Sequence, residues 1–146
     1  MGMGKEAWER LVEEKSRHYL QLGDGGFDEK MQAHLVGCDY EAQSVTYAFP
    51  TQSWQINEKG GIHGGAIAGM FDTAFGVVAN FTAGENEATT VDMTVSFLRG
   101  VEYGMDLELT VYIVKAGRSL IRQRAELRQA GTGKLLATAS GSWMPL

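Results

Sequence analysis

The sequence is poor in the features that mark several large classes of protein. Its 146 residues contain one cysteine, so no internal disulfide can form, which favours a reducing compartment. Lysine and arginine total 13 against 18 acidic residues, and the net charge of -5 leaves no basic surface of the kind that binds nucleic acid. No apolar stretch reaches transmembrane length, and no hydrophobic signal segment opens the chain. We therefore expect a cytoplasmic protein whose partners include neither membrane nor nucleic acid.

Residues that could hold a metal or a cofactor are also scarce. The three histidines lie far apart, and with a single cysteine they show no recognisable ligand spacing. The chain lacks the glycine fingerprint of dinucleotide-binding proteins and the serine-centred elbow of many hydrolases. These absences predict a protein without a metal site and without a redox cofactor.

Glycine, with 19 copies, is abundant instead, and its positions divide the chain into segments. Residues 5–22 carry apolar side chains at helical spacing and predict an amphipathic helix that ends at Gly23. Strands are expected around 31–39 and 43–49, and the second of these alternates clearly before it stops at Pro50. After Gly84 the apolar period changes to two, which predicts four strands joined by glycine turns. These strands comprise 90–97, 107–113, 121–128 and 135–143.

Between the two groups of strands, residues 63–83 are apolar on nearly every side and predict a helix that is buried in most directions. The order of helix, two strands, long helix and four strands predicts an α+β domain, with an antiparallel sheet and the long helix on one face. No linker or repeat divides the chain. Because one sheet covers only one side of such a helix, we expect a second subunit to cover the rest.

The start of the long helix lacks a conventional capping residue and is rich in glycine. A helix N-terminus leaves backbone N–H groups unpaired and favours negative charge. Neither Gly61 nor Ile62 can cap it through a side chain, so Gly64 and Gly65 would present their N–H groups to a ligand. Such donors form the oxyanion hole of acyl-transfer enzymes. A turn that only lets a buried helix pack closely explains the glycines equally well.

Asp72 is the one acidic residue between His63 and Phe81. A carboxylate among apolar neighbours is unfavourable unless it is paired or protonated, and such a group suits general acid or base catalysis. The alternatives are an aspartate that bonds a neighbouring loop, or a helix face that reaches water. His63 and Asp72 are nine residues apart, about 13.5 Å along a helix. They can therefore serve one reacting carbon only if two antiparallel copies of the helix lie side by side.

Three segments of the chain together resemble a known family. They are Asn57-x5-His63-Gly64-Gly65-x6-Asp72-Thr73-Ala74, TTVDMTVSFLRG (89–100) and VKAGRSL (114–120). They are similar to hotdog-fold acyl-CoA thioesterases of the phenylacetate-pathway (PaaI-like) and THEM2-like group, over roughly residues 28–144. The resemblance implies a hotdog fold, in which a sheet wraps a long central helix, and a homodimer that pairs into a homotetramer. The chain would be one hotdog domain, 1–146, in which residues 1–27 form an N-terminal helical extension.

The resemblance also implies roles at the matching positions. Asp72 would be the catalytic carboxylate, as nucleophile or as general base on water, and Gly64 would donate its N–H to the thioester carbonyl. His63 and Asn57 would orient the thioester end and shape the turn, and Thr90 would lie near Asp72 and position water. The CoA part of the substrate would be bound by Lys115, Gly117, Arg118 and Ser119, with Arg99 as a further candidate. Cations near the phosphates can act locally even in an acidic protein.

The implied activity is hydrolysis of an acyl-CoA to free acid and CoA, without a metal or redox cofactor. The chain departs from the family at Gly100, where relatives usually have proline, and this change would loosen the turn. Two alternatives stay open: a non-catalytic acyl-CoA-binding hotdog protein, and a hotdog hydratase or dehydratase. The acyl group itself stays open too, whether aromatic, short-chain or medium-chain.

Overall fold

The computed structural model describes residues 3–146 and contains the two groups of strands separated by a long helix that the sequence predicts. The elements are α1 (Lys5–Leu20), α2 (Phe27–Lys30), β1 (His34–Asp39), β2 (Ser44–Pro50), α3 (Gly64–Thr82), β3 (Ala88–Phe97), β4 (Asp106–Ala116), β5 (Ile121–Gln129) and β6 (Leu135–Pro145). Single 3-10 turns lie at Ser53–Gln55 and Gly84–Asn86.

The segment between α1 and β1 differs from the prediction. The sequence predicts a strand from residue 31, but residues 27–30 form the one-turn helix α2, and β1 begins only at His34. The loop before α2 is held by the carboxylate of Glu29, which accepts hydrogen bonds from the N–H groups of Gly23 and Gly25. A single helical turn is too short to leave a periodic signal, so reasoning from periodicity cannot detect α2.

All six strands form one antiparallel sheet in the order β1-β2-β4-β5-β6-β3. The long helix α3 lies across one face of the sheet, where it packs most extensively against β3 and β4 among the strands. Its buried side chains form the centre of the hydrophobic core. This architecture confirms the predicted α+β class and the hotdog arrangement. No helix within residues 3–146 has both the length and the apolar character needed to cross a bilayer.

The N-terminal helix α1 is part of the core rather than an appendage. It buries a stripe of four residues, Trp8, Val12, Ser16 and Leu20, and packs against β1 and α3. The hydroxyl groups of Ser16 and Tyr47 form a buried hydrogen bond of 2.7 Å that joins α1 to the sheet. The helix therefore stabilises the sheet and one flank of α3.

β3 is an edge strand, and its outer edge has no partner within the described residues. A bulge at Val91 interrupts its pairing with β6, because Thr90 and Asp92 pair with consecutive residues of that strand. The regular alternation predicted for 90–97 places Thr90 on the face opposite to Met93, and this detail is wrong. One extra residue reverses the alternation, so Thr90 and Met93 both face α3.

Candidate active site

The first turn of α3 is capped by a histidine. His63 occupies the N-cap position with an extended backbone (φ -60, ψ 136), and its Nδ1 accepts the N–H of Gly65 at 2.8 Å. The prediction that both glycines present free N–H groups is therefore wrong for Gly65. An accepting Nδ1 is unprotonated, so Nε2 carries the ring hydrogen of the neutral imidazole. The N–H of Gly64 has no hydrogen-bond acceptor within residues 3–146, and it is the donor left for a ligand.

The loop that leads into α3 is fixed by hydrogen bonds. The Oδ1 atom of Asn57 accepts from two backbone N–H groups of the turn, that of Gly61 among them at 3.1 Å. The backbone N–H of Asn57 donates in turn to the Gly61 carbonyl at 2.7 Å. The N–H of His63 donates to the Gln55 carbonyl, also at 2.7 Å. These bonds hold the chain on both sides of the turn, so Asn57 and His63 together determine where the Gly64 N–H points.

Asp72 lies on the exposed side of α3 that borders the edge strand β3. Its Oδ1 atom accepts a hydrogen bond of 3.1 Å from the hydroxyl of Thr90 on β3. The predicted proximity of these two residues is confirmed, although their catalytic roles stay predictions. The expectation that the acid is enclosed by apolar groups is wrong for one subunit, because Asp72 is exposed. Glycines at positions 65 and 76 share its side of the helix and place no side chain between the carboxylate and solvent.

The free donor and the acid do not meet within one chain. Gly64 and Asp72 are eight residues apart in one continuous helix, which separates them by about 12 Å. The edge strand also keeps the two groups apart: the Gly64 end of α3 lies at the Phe97 end of β3, whereas Asp72 bonds Thr90 near the other end. Seven residues of extended strand span about 23 Å. One subunit therefore carries two candidate half-sites, one toward each end of its edge strand.

The half-site at Gly64 includes one of the predicted cations. A groove of about 330 Å³ contains Gly64 and Arg99 together, and its other lining residues are Ile62, Ile67, Phe97, Leu98, Gly100 and Val101. A Cβ added to Gly64 would lie 3.5 Å from the Phe97 ring, which is 54% exposed. The sequence does not mark Phe97 as a lining residue, because alternation along β3 assigns it an inward position without showing that this end of the strand lies beside Gly64.

The remaining predicted CoA-binding residues lie elsewhere in the chain. Lys115, Gly117, Arg118 and Ser119 form the hairpin between β4 and β5. The hairpin is tight because the Gly117 N–H donates to the Leu120 carbonyl at 2.9 Å, and a Cβ at Gly117 would lie only 2.8 Å from that oxygen. The base of the hairpin pairs Ala116 with Ile121, and across the sheet Ile121 pairs with Trp143, which pairs with Thr90. The structure therefore groups the hairpin with the Asp72 end and Arg99 with the Gly64 end.

Comparison with known proteins agrees with this geometry. A sequence model described as the thioesterase superfamily matches residues 59–136, which include the glycine turn, Asp72 and the β4–β5 hairpin. A Caenorhabditis elegans protein named as an esterase is 31% identical over 129 residues. The alignment covers 88% of this chain and 76% of that protein. Human acyl-coenzyme A thioesterase 13 is 28% identical over 81 residues, which cover 56% of this chain and 58% of the human protein.

Solved structures share the fold over nearly the whole chain. Thioesterase superfamily member 2 from Mus musculus superposes with a TM-score of 0.77, at 21% identity over 99% of this chain and 100% of that one. The Escherichia coli PaaI protein of the phenylacetic acid degradation operon gives a TM-score of 0.77, at 18% identity over 92% and 96% of the two chains. The resemblance to the PaaI-like and THEM2-like group is thereby confirmed. The chain belongs to the thioesterase superfamily and is a thioester hydrolase.

Proposed function

We propose that the protein hydrolyses the thioester of an acyl-CoA to free acid and CoA, at a site that two subunits share. The observation that carries the proposal is the pair of half-sites, a free N–H at Gly64 and a carboxylate paired with Thr90 at Asp72. The human relative named an acyl-coenzyme A thioesterase supports the substrate class. The alignment covers 58% of that relative, and acyl-CoA hydrolysis by the present chain is therefore proposed.

In the proposed reaction, the Gly64 N–H donates to the thioester carbonyl oxygen, where negative charge develops as the carbonyl carbon is attacked. The Thr90 hydroxyl holds one oxygen of Asp72, which leaves the other oxygen free. That free oxygen either takes a proton from a water molecule as the water attacks the carbonyl carbon, or attacks the carbon itself to form an acyl anhydride that water then hydrolyses. In both routes the new C–O bond replaces the C–S bond, and the CoA thiolate leaves and takes up the proton that the water gives. His63 and Asn57 keep the Gly64 donor in place through the bonds of the loop.

A shared site follows from the position of the two half-sites on β3. An edge strand of ten residues with an unpaired outer edge is a ready template for pairing with a second copy. Antiparallel pairing about the middle of β3 would bring the Phe97 end of one strand beside the Thr90 end of the other. Gly64 would then face the partner's Asp72. The same pairing would cover part of the exposed face of α3, as the apolar pattern of that helix requires.

The same arrangement would collect the cations around one substrate. Arg99 stands beside Gly64, and the β4–β5 hairpin stands at the Asp72 end of the sheet. Across the proposed pair, Arg99 of one subunit and Lys115, Gly117, Arg118 and Ser119 of the other would flank the CoA moiety. Phosphate groups would account for the basic side chains there. The homodimer, its pairing into a homotetramer and the cytoplasmic location belong to this proposal.

A thiol-release assay with a panel of acyl-CoAs tests the function, with wild type and Asp72→Asn measured in parallel. We expect release by wild type, loss of release by the variant, and retained affinity for CoA esters. Binding without release by wild type would indicate a non-catalytic acyl-CoA-binding protein. Conversion of an enoyl-CoA without free thiol would indicate a hydratase or dehydratase. Equal release by Asp72→Asn would remove Asp72 from the mechanism.

A further inference from the structure

One amide side chain lies beneath the middle of α3. Gln123 of β5 is 1% exposed and shares the inward face of its strand with Ile121, Ala125 and Leu127. Its Nε2 atom donates to the backbone carbonyl of Phe75 at 3.2 Å. Phe75 follows Asp72 by three residues on α3, so the hydrogen bond attaches the helix to the sheet less than one turn from the acid.

The fold does not need an amide at this position. The Oε1 atom of Gln123 has no hydrogen-bond partner within residues 3–146. The indole Nε1 of Trp143, whose ring packs on Phe75 with centroids 4.6 Å apart, has none either. An unpaired buried polar atom is destabilising, whereas an apolar side chain of similar size is compatible with these surroundings.

The amide supplies a directional contact beneath the middle of α3, where its neighbours on the sheet side are apolar. The side chains that α3 turns toward the sheet are apolar, Met70, Phe71, Ala74 and Val78 among them. Apolar burial is non-directional, so it tolerates small shifts of a helix along or about its axis. A hydrogen bond to the backbone fixes one point of the helix against the sheet. At the far end of α3, Asn80 Oδ1 accepts the N–H of Ala88, but that bond joins the helix to the start of β3 and not to its middle.

We propose that Gln123 is a positioning residue for the thioester hydrolysis, which rests on the proposed function of Asp72. By holding the Phe75 carbonyl, it sets the height and rotation of α3 above the sheet. That setting keeps Asp72 within hydrogen-bond distance of Thr90 and aims its free oxygen at the thioester. Gln123 itself touches neither substrate nor reacting atoms.

Gln123→Leu tests the proposal through steady-state kinetics and thermal unfolding. We expect kcat to fall about ten-fold, since small misplacements of a catalytic group have effects of this order or larger, with KM unchanged within about two-fold. The melting temperature should stay the same or rise, because an unpaired buried oxygen is removed. Gln123→Met, an unbranched side chain of similar length, serves if leucine disturbs packing. Unchanged kcat in both variants overturns the proposal.

The matched control is Ser16→Ala, which breaks a buried polar bond between the sheet and α1 instead of α3. It should lower the melting temperature and leave kcat unchanged. If both variants lose activity in proportion to stability, Gln123 acts only through the fold and the positioning role is overturned.

A double-mutant cycle with Thr90→Val distinguishes positioning from an independent effect. Once the Thr90 bond is gone, loss of Gln123 should change kcat by less than about two-fold, because the geometry it protects no longer exists. If the losses in kcat of the two single variants multiply in the double variant, the positioning role is overturned and the proposed function is left intact. Full thiol release by Asp72→Asn in the same assay would overturn both.

Discussion

Thr90 donates its hydroxyl hydrogen to Asp72 across 3.1 Å, which joins the edge strand β3 to the exposed side of α3 beside it. The bond exists because the bulge at Val91 turns Thr90 toward the helix. It occupies one carboxylate oxygen and leaves the other available for chemistry. The pair therefore sets the orientation of the acid and links α3 directly to the strand that we propose pairs with a second subunit.

Thr90→Val removes this hydrogen bond and keeps the shape of the side chain. A bond to a charged group contributes about 1.5–3 kcal/mol, so we expect kcat to fall by roughly ten- to a hundred-fold with KM little changed. Thr90→Ser keeps the hydroxyl and should retain most of the activity. Steady-state thiol release measures both variants. A valine variant as active as the serine variant would show that the bond has no part in catalysis.

Gly64 allows a backbone donor to be deleted by substitution. Proline is well tolerated at the first position of a helix, and the extended backbone of His63 is the conformation favoured before proline. Gly64→Pro should therefore fold normally, lose the N–H and reduce turnover by about 10²–10³. In Gly64→Ala the N–H remains and the new Cβ meets Phe97 at an ordinary 3.5 Å, so activity should persist. Circular dichroism confirms folding, and equal turnover by the two variants would exclude the Gly64 donor.

Gly69 is required by a close contact with α2. A Cβ there would lie 2.5 Å from the end of the Phe27 ring and 2.9 Å from the Met31 methyl group. We expect Gly69→Ala to destabilise the wild type by about 1 kcal/mol, since overpacking outweighs the better helix propensity of alanine. In a Phe27→Ala background only the flexible end of Met31 still crowds the new Cβ, so the same change should destabilise less. Urea unfolding measures all four proteins, and an equal effect in both backgrounds would contradict the contact.

Alkaline pH should weaken the attachment of α1. Partial burial, and then the hydrogen bond and negative charge of Glu87, raise the pKa of Tyr19 from 10.0 to about 12. The folded state therefore keeps a proton that the unfolded state loses. The contribution of Tyr19 to the free energy of unfolding is fully present below pH 10 and is lost as the pH rises toward about 12. Tyr19→Phe should flatten this decline, measured as unfolding midpoints against pH. Some slope should remain because burial also raises the pKa of Tyr47, and an unaltered profile would contradict the link to Tyr19.

Periodicity predicts most of the fold because burial is regular over long elements. The switch from an apolar helix to alternating strands after Gly84 locates α3 and the last four strands to within a few residues. It cannot detect α2, a single turn held by carboxylates and by contact with α3. Nor can it detect the bulge at Val91, where one residue out of step changes which face Thr90 occupies.

Part of the candidate site is predictable because two of its residues depart from the pattern around them. A lone acid in an apolar helix and a glycine-rich helix start stand out in the sequence, and the structure places Asp72 and Gly64 at two separate half-sites. The cap by His63 is not predictable from standard capping preferences, because histidine is not among the usual N-cap residues. Gln123 is concealed by its strand, where alternation alone assigns an inward position without saying that an amide there bonds a helix carbonyl.

Subunit complementation tests the shared site most directly. Asp72→Asn and Gly64→Pro should each be inactive alone, but a mixed dimer would combine the intact Gly64 of one chain with the partner's intact Asp72. Random mixing by co-expression should restore about a quarter of wild-type turnover, because about half of the dimers are mixed and each holds one intact site. Tagged copies confirm that mixed dimers form, and each variant expressed alone is the control. Mixed dimers that stay as inactive as their parents would place the complete site within one chain and contradict the account.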